Sequence, residues 1–565
     1  MSPASKIYLA TMATFFLFAG VRDAVPQSQV VADNRYTQVA AALQQLIQHE
    51  IGEKQLPGFS VALVDDQEIV WAQGFGFADP DSKTPATAET VYRVGSVSKV
   101  YTAIGIMQQV ERGHLNLDTP VSKYLPTFHP ANPFHKPITL RELMSHRAGL
   151  VREPPVGSYF DSSQPSLAQV VDSLNATQLV YEPDTHTKYS NAGDAVAGRV
   201  LEVVTKEPYT QYLQHSVLNP LQLDHSAFLP LPFITAKLAK GYMWTYDGKV
   251  FEAPTFELGT GPAGNLYSTA LDQARFLSWL FTGGRGANGT ILKPETLAQM
   301  LTPQSSGSGY GVGFALLNVD GIKMVGHRGG VYGFSTEVLA IPEEKLGVVT
   351  ITNMDNSTEV AWHVAFTALR FMLAAHANKL LPLLRLTTKI PAEDMSRLEG
   401  RYEQGAKSIE IFQRSGRLFI EPMNTGGVSE LRQLGTSLVT DDRNGWGWKI
   451  TAVANGIDVS GGSNGSYERV PRRKLSPAPP EWKSLFGEYG WDYNVLRIFE
   501  RNNQLTALLE MDFNPLARIS GDVWQFADDS AYDHEQLKFV LDKSGCPAQV
   551  KVGEVVFPRR SPCSR

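Results

Sequence analysis

The sequence predicts an α+β domain with an antiparallel sheet, followed by two small antiparallel β-barrel domains. Two patterns indicate this fold class. Strand signals lie at both ends of a long first region with helical signals between them, and an internal repeat fills the remainder of the chain. The length of 565 residues is too great for one ordinary domain. The composition, 43% hydrophobic and 19% charged, is typical of a globular protein.

The first region is expected to span residues 35–385. Its strand signals are short β-rich runs bounded by turn residues, and its helical signals are apolar residues spaced three or four apart. The predicted strands are 59–64, 68–72 and 346–352. One predicted helix starts near Val97 and ends at Gly113, and a second covers 360–381. This order of elements favours an antiparallel sheet with helical material inserted in the middle of the chain.

The repeat pairs residues that are 87 positions apart. Leu-Glu-Gly-Arg-Tyr at 398–402 returns as Leu-Phe-Gly-Glu-Tyr at 485–489, and Ile-Phe-Gln-Arg at 411–414 returns as Ile-Phe-Glu-Arg at 498–501. Short alternating runs bounded by Gly, Asn and Ser fill each unit. We therefore predict one β-barrel over 398–473 and a second over 485–560, joined by a proline-rich linker.

The N-terminus has the features of a secretory signal. After Lys6 an uncharged stretch runs from residue 7 to 21, which is short for a membrane span of ~20 residues but suits the apolar core of a signal peptide. We predict that residues 1–21 are a signal peptide and that the protein is secreted without a membrane span; an uncleaved signal anchor is the alternative. The net charge of −6 and the lack of long basic runs argue against a nucleic-acid partner.

Export would also affect the cysteines and the glycosylation sequons. The two cysteines, Cys546 and Cys563, both lie near the C-terminus and could form one disulfide in an exported protein, or remain two free thiols. Sequons for N-glycosylation occur at four positions, a number close to chance. They are Asn175, Asn288, Asn356 and Asn464.

Three motifs, each present once, carry candidate catalytic residues. The first is Ser96-x-x-Lys99 at the start of a predicted helix. The helix N-terminus favours negative charge on the serine, and the lysine amine lies one turn further along the same face. Together they supply a nucleophile and a base. Taken alone, the motif fits an N-cap serine with a surface lysine better than a catalytic pair.

The second motif is Tyr189-x-Asn191. Residues two apart point the same way in an extended backbone, so the phenol and the amide would face one cleft. A tyrosine between cations can be pushed toward phenolate and act as a general base. The alternative is a loop tyrosine beside a turn-forming asparagine.

The third motif is His327-x-Gly329, followed by Gly330, after a strand-like run. Gly329 lets a substrate backbone approach closely, and the Gly330 N–H could form an oxyanion hole with that of Ser96. A polar strand end followed by a hairpin turn would look the same.

In this order the motifs resemble those of the serine β-lactamase and penicillin-binding-protein superfamily. The most similar branch contains class C β-lactamases, D-aminopeptidases and related esterases. The resemblance covers about residues 35–380 and includes further segments at 113–126, 138–150, 263–272 and 333–335. It implies a β-lactamase-like fold, with an antiparallel sheet flanked by helices and a helical subdomain, and no metal or organic cofactor.

The resemblance also implies roles for the site residues. Ser96 would be acylated, Lys99 and Tyr189 would share the proton transfers, and Asn191 would position the substrate. His327 stands where penicillin-recognising members usually have a lysine, and a neutral histidine attracts a carboxylate poorly. Arg328 replaces a small residue and either points away or restores the positive charge.

We therefore expect a secreted serine hydrolase that works through an acyl-enzyme on a small molecule or short peptide. A D-aminopeptidase-like amide hydrolase fits better than a dedicated β-lactamase, because a histidine at position 327 is similar to D-aminopeptidases and some esterases. The domain order also resembles that of bacterial D-aminopeptidases, in which a barrel loop restricts the substrate. An esterase, lactonase or acyltransferase with the same site is the alternative, and an inactive binding protein is the remaining one.

Overall fold

The computed structural model describes residues 29–286, 289–423, 426–472, 477–528 and 530–563. The predicted signal peptide and Asn288 lie outside these residues. In chain order, the helices and strands are the following: α1 Thr37–Lys54, β1 Gly58–Asp65, β2 Glu68–Asp79, β3 Thr84–Pro85, β4 Tyr92–Arg93, α2 Ser98–Glu111, α3 Leu140–Met144, α4 Leu167–Ser173, α5 Asn191–Thr205, α6 Tyr209–Leu213, α7 Pro232–Thr235, β5 Tyr242–Trp244, β6 Val250–Glu252, α8 Gly261–Gly264, β7 Tyr267–Ser268, α9 Ala270–Phe281, β8 Arg285–Gly286, β9 Gly289–Thr290, α10 Pro294–Met300, β10 Ala315–Val319, β11 Ile322–Val331, β12 Phe334–Ile341, β13 Leu346–Thr352, α11 Thr358–His376 and α12 Ala392–Leu398.

Two sets of eight strands follow. The first set is β14 Gly400–Gln404, β15 Lys407–Arg414, β16 Arg417–Pro422, β17 Ser429–Leu434, β18 Ser437–Asp441, β19 Trp446–Val453, β20 Gly456–Ser460 and β21 Gly465–Val470. The second set is β22 Gly487–Trp491, β23 Asn494–Arg501, β24 Gln504–Leu509, β25 Asp512–Ser520, β26 Val523–Phe526, β27 Gln536–Leu541, β28 Pro547–Val552 and β29 Val555–Pro558.

An antiparallel seven-stranded sheet organises the first region, in the order β10-β11-β12-β13-β1-β2-β3. Strand β1 joins the two ends of the region, since Phe59 pairs with Thr352 of β13 on one side and with Phe75 of β2 on the other. Successive side chains of β1 pack on opposite faces, with Val61 in the core beneath α1 and α11 and Ala62 in the larger core that includes α2, α5 and α9. The sheet is therefore covered by helices on both faces, as predicted.

The chain between β4 and α9 forms a helical region on the second face. Helix α5 packs against α2, α3, α4 and α8. The 3₁₀ turn Gly95–Val97, just before α2, lies against β11, so the edge of the helical region meets the sheet at that strand. This junction is where the predicted catalytic motifs converge.

The repeated part of the chain folds into two barrels, confirming the predicted fold class. Strands β14 to β21 form a closed barrel, termed barrel 1. Strands β22 to β29 form an eight-stranded sheet, termed barrel 2, in which a single bridge, Tyr489 with Arg559, brings the first and last strands together. The repeated tyrosine makes the same hydrogen bond in each, from Tyr402 to the Leu398 carbonyl at 2.6 Å and from Tyr489 to the Leu485 carbonyl at 2.9 Å.

The two barrels diverge after their third strands. The bounds of β22, β23 and β24 lie 87 residues after those of β14, β15 and β16. In barrel 1 the link from β16 to β17 covers 423–428, whereas in barrel 2 the link from β24 to β25 is the pair Glu510-Met511. Beyond this connection, the bounds of β17 and β25 no longer differ by 87 residues.

Local boundaries differ little from the expected ones. Strand β13 has the predicted bounds, and β2 runs seven residues beyond its predicted end at residue 72. Helix α11 ends at His376 and not at residue 381, because Asn378 adopts a left-handed conformation (φ 52°) that interrupts the helix. Cys546 and Cys563 form the disulfide that was one of the two expected states. Within the described residues, no helix has the length and apolar character needed to cross a membrane.

A buried ionic cluster joins barrel 1 to the first region. Lys54, at the end of α1, donates to Glu50 and to Asp441 of β18, and all three side chains are at most 5% exposed. Arg432 of β17 adds a bond to Glu53 at 2.8 Å. His363 of α11 stacks on Trp446 of β19 with ring centroids 3.3 Å apart.

Replacing Lys54 by Met should lower the free energy of unfolding by about 3–5 kcal/mol, because the change removes the ammonium that bonds two buried carboxylates directly. Chemical denaturation of the whole chain measures this loss. Lys345→Met is the matched control, since Lys345 pairs with Asp66 where both side chains are about half exposed; its loss should stay below about 1 kcal/mol. Equal losses in the two variants would contradict the assigned role of the cluster.

Candidate active site

Ser96 lies in a single 3₁₀ turn, Gly95–Val97, that leads directly into α2. The turn requires glycine at 95, where φ is +53° and an added Cβ would stand 2.7 Å from the carbonyl oxygen of Gly330. Strand β11 therefore passes close beside the serine. The Ser96 hydroxyl lies at the N-terminal end of α2, as the sequence predicted.

Lys99 is buried, with 1% of its surface exposed, and its amine makes three hydrogen bonds. It donates to Ser96 Oγ at 3.1 Å, to Asn191 Oδ1 at 2.8 Å and to the Ala263 carbonyl at 3.0 Å. Burial, reinforced by the nearby positive charge of Arg152, lowers the pKa of Lys99 to about 8. A substantial fraction of the amine is then neutral near pH 8 and able to accept a proton.

Tyr189 donates to Ser96 Oγ at 2.7 Å. Its ring lies between two cations, with Lys99 Nζ 4.8 Å and the Arg152 guanidinium 5.4 Å from the ring centre. Even so, burial raises the pKa of the phenol above its usual value of 10, and this effect outweighs those of the hydrogen bond to Ser96 and of the Arg152 charge, which both lower it. The expected drift toward phenolate is thus not what the surroundings produce, and Tyr189 is a hydroxyl donor in this state.

Asn191 begins α5 and links Lys99 to a carboxylate that the sequence did not single out. Its Nδ2 donates to Glu153 Oε1 at 2.5 Å, while its Oδ1 accepts from Lys99. Glu153 also accepts from the Tyr159 backbone N–H at 2.9 Å. Burial raises the pKa of Glu153 to about 7. Glu153 fixes the orientation of the Asn191 amide and hence the place of the lysine amine.

His327 lies on β11 and is 5% exposed. Its Nδ1 donates to the Arg328 carbonyl at 2.6 Å, and burial together with the charge of Lys99 lowers the pKa of His327 to about 4. The imidazole is therefore neutral at ordinary pH, as expected for a group that attracts carboxylates poorly.

Arg328 does not restore a free positive charge. Its guanidinium donates to Glu337 at 3.0 Å and to Glu359 at 2.6 Å, and it stacks over Trp362. The two carboxylates neutralise it. This answers the question left open by the sequence.

The two glycines of the third motif bring β11 to the serine. A Cβ at Gly329 would lie 1.9 Å from the Val94 carbonyl oxygen, so the close approach that Gly329 allows is that of the Val94 backbone and not, as expected, that of a substrate. Gly330 lines the same cavity as Ser96. Their backbone N–H groups stay our predicted oxyanion hole.

A cavity of about 650 Å³ opens over these residues and is walled by all three parts of the chain. The first region supplies its floor, barrel 1 contributes Asn444, and barrel 2 contributes Glu510, Asp512 and Ala531. The cavity is lined by the carboxylates of Asp355, Glu510 and Asp512. Among its described lining residues, Arg152 is the one cation without a carboxylate ion pair, since Arg328 is paired with Glu337 and Glu359, so carboxylates are in excess. Burial raises the pKa of Asp355 to about 7 and, together with the Glu510 charge, that of Asp512 to about 6.

The turn between β24 and β25 carries Glu510 into this cavity. Glu510 and Met511 both have left-handed backbones, with φ of 52° and 76°. Two-residue hairpin turns of this kind strongly prefer Asn-Gly or similar pairs, so Glu-Met stores strain here. Tyr532 donates to Glu510 Oε2 at 2.8 Å and so holds the carboxylate in place.

A second loop of barrel 2 anchors the segment that carries Tyr189. Lys188, only 1% exposed, pairs with Asp533 at 2.9 Å and with Glu535 at 3.1 Å. Glu535 Oε1 also accepts the backbone N–H of Arg152 at 2.7 Å. Phe160, from the loop after Arg152, sits in the hydrophobic core of barrel 2.

Possible metal ligands gather at one place in the described residues, away from Ser96. His49, Glu50 and Asp441 offer ligand atoms within 4.8 Å of one another. The Lys54 amine already bonds both carboxylates, so an ammonium takes the position that a cation would need.

The fold and the hydrogen-bonded Ser-Lys-Tyr group define the class of protein as a serine hydrolase of the β-lactamase type. A model of the beta-lactamase family matches residues 43–368, more than half of the chain. The chain therefore belongs to the beta-lactamase family.

Curated relatives and solved structures agree. Protein flp of Staphylococcus aureus is 23% identical over 345 residues, covering 59% of this chain and 69% of that protein. Beta-lactamase-like protein 2 of Dictyostelium discoideum is 29% identical, covering 54% of this chain and 57% of its own length.

Among solved structures, the octameric penicillin-binding protein homologue from Pyrococcus abyssi is 23% identical with a TM-score of 0.55, covering 84% of this chain and 99% of that one. EstCE1, a hydrolase with promiscuous acyltransferase activity, is 27% identical with a TM-score of 0.51, covering 58% and 97%. The D-amino acid amidase from Ochrobactrum anthropi SV3 is 24% identical with a TM-score of 0.51, covering 60% and 99%.

The structure brings every predicted site residue to one place and adds others that sequence reasoning missed. Lys188 adjoins the second motif, but nothing in the sequence indicated that its side chain is buried. The Glu510-Met511 pair did offer one, because it separates two alternating runs without any turn-forming residue. Glu153 follows no pattern that the sequence makes readable.

Lys188→Met should slow labelling of Ser96 by a fluorophosphonate probe about tenfold, because the Tyr189 hydroxyl would lose its fixed position. Labelling rates of folded protein, checked by melting temperature, measure this. Lys551→Met is the control, since Lys551 pairs with Glu554 on the surface of barrel 2, the barrel that Lys188 contacts. An unchanged labelling rate in Lys188→Met would exclude a positioning role.

Proposed function

We propose that this protein is a secreted serine hydrolase that cleaves amides bearing a free amine through an acyl-enzyme on Ser96, in the manner of a D-aminopeptidase. The observation that carries the proposal is the Ser96-Lys99-Tyr189 group at the floor of a cavity whose roof presents Glu510 and Asp512. The D-stereochemistry rests on the resemblance of the motifs and the domain order.

Acylation begins at the lysine. Neutral Lys99 takes the proton of Ser96 Oγ, 3.1 Å away, as the oxygen attacks the amide carbonyl. The N–H groups of Ser96 and Gly330 stabilise the resulting oxyanion. Tyr189 gives its phenol proton to the leaving nitrogen and regains one from Lys99, and the C–N bond breaks. Water then releases the acyl group by the reverse proton path.

The charges of the cavity favour an amine over a β-lactam. A substrate ammonium would offset the excess of carboxylates at Glu510, Asp512 and Asp355. A β-lactam carboxylate would find His327 neutral and Arg328 paired with two glutamates.

Hydrolysis or transfer of esters, including lactones, is the second candidate. It is favoured by the likeness to EstCE1, which is named as a hydrolase with acyltransferase activity. The same nucleophile and proton path serve an ester, whose leaving oxygen needs less protonation. An inactive binding protein is disfavoured because the catalytic hydrogen bonds are intact.

Secretion is part of the proposal. The Cys546–Cys563 disulfide suits an oxidising compartment, and residues 1–21 have the pattern of a signal peptide. Use of the sequons depends on the host and stays a prediction.

A substrate panel tests the function. Wild type should hydrolyse D-alanine p-nitroanilide faster than its L-isomer, its N-acetyl form, p-nitrophenyl butyrate or a chromogenic cephalosporin. Ser96→Ala should abolish every activity while leaving the melting temperature unchanged, and Tyr189→Phe should cost ~10² in kcat. Preference for the butyrate would assign the site to the ester candidate, and residual turnover above a tenth in Ser96→Ala would refute the nucleophile.

The pH profile tests the lysine. Because Lys99 must lose its proton to act as a base, kcat at saturating substrate should rise with pH and level off above the Lys99 pKa of about 8. The prediction concerns kcat and not kcat/KM, because the amine of the free substrate loses its own proton in the same pH range. A steady-state profile with the D-alanine anilide measures this. A rate that falls as pH rises from 6 to 8 would assign the base elsewhere.

A further inference from the structure

A second cavity of about 240 Å³ lies where barrel 1, the first region and the tip of barrel 2 meet. We call it the junction pocket. The end of α1, the β5–β6 hairpin, several strands of barrel 1 and Met511 form its walls. The residues that matter for its chemistry are Trp244, Tyr246, Arg414, Arg417, Arg443 and Asn444.

Two arginines of this pocket have no carboxylate partner among the described residues. The Arg414 guanidinium lies over the rings of Tyr246, at 5.1 Å, and Phe419, at 4.6 Å. Arg443 lies over Trp244 at 5.1 Å, and its Nε donates to the Lys54 carbonyl at 2.6 Å. Aromatic faces hold both groups in position without neutralising them.

The acidic groups of the pocket are already engaged. Glu430 pairs with Arg417 at 2.8 Å, and Glu53 pairs with Arg432 at 2.8 Å. Asp442 accepts backbone N–H groups of Glu430 and Asn444 at 2.6 and 2.8 Å. The pocket thus has a surplus of positive charge, opposite in sign to the surplus over Ser96.

The junction pocket adjoins the catalytic cavity. Asn444 lines both of them. Met511, in the junction pocket, is the next residue after Glu510, which lines the catalytic cavity. One hairpin turn therefore presents a carboxylate to the first space and a thioether to the second.

We propose that the junction pocket binds the free carboxylate at the far end of the substrate, so that the natural substrate is a short peptide with both termini free. The inference rests on the proposed function and deepens it. The amine faces Glu510 and Asp512, the scissile amide lies at Ser96, and the carboxylate of the leaving peptide reaches Arg414 and Arg443. Guanidinium groups held on aromatic rings suit a planar carboxylate.

The test compares D-alanyl-glycine peptides of one to four glycines, each as the free acid and as the C-terminal amide. Over at least one length, wild type should show kcat/KM about tenfold higher for the acid. In the double variant Arg414→Gln, Arg443→Gln this ratio should fall toward one. Arg285→Gln should keep the wild-type ratio, because Arg285 is an exposed arginine of β8 that lines neither cavity.

Equal turnover of acid and amide at every length by wild type overturns the proposal without reference to any variant. Thermal stabilisation of wild type by glycylglycine alone would then assign the pocket to a separate carboxylate. A ratio that persists in the double variant overturns it as well. Cleavage of the D-alanine anilide is the control for the proposed function. If wild type cleaves it and Ser96→Ala does not, the results above test the junction pocket alone. If no amide is cleaved, the proposed function and the role of the junction pocket are both refuted.

Discussion

The amine of Lys99 is the point on which the catalytic arrangement depends. Its three hydrogen bonds reach the turn before α2, the first residue of α5 and the carbonyl of Ala263 in α8. A lysine in so enclosed a position keeps a lowered pKa only because the groups around it are uncharged acceptors, while the carboxylates of Glu153 and Asp194 act at longer range. Burial thus fixes the geometry of the helices and also sets the basicity of the group.

Two carboxylates near that amine are only partly ionised at neutral pH. Glu153 and Asp194 each have a pKa raised to about 7 by burial, so neither is a permanent full charge beside Lys99. Through Asn191, Glu153 also connects the base to the loop that carries Arg152 and Phe160. The same loop contacts barrel 2, so the chemistry at Ser96 and the packing of the last domain share one segment.

Much of this could be predicted from the sequence. Ser96, Lys99, Tyr189, Asn191 and His327 were identified by motif order, and the barrels by repetition. The protonation of Tyr189 was predicted in the wrong direction, because the enclosure of a loop residue depends on distant parts of the chain. Glu510 was missed for the same reason: over 400 residues separate it from Ser96, and the unusual Glu510-Met511 pair indicates a turn but not which part of the chain that turn contacts.

The packing of Phe160 in the core of barrel 2 has a consequence for the cavity over Ser96. With ring centroids 4.9 Å from Phe557 and a hydrogen bond from Tyr493 to its carbonyl at 3.0 Å, this residue fastens the wall of the cavity from outside. Swinging the barrel away would expose aromatic surface to water. Barrel 2 is therefore packed against the same loop whose Arg152 and Tyr159 line the cavity over Ser96, so the last domain of the chain fixes the shape of that wall.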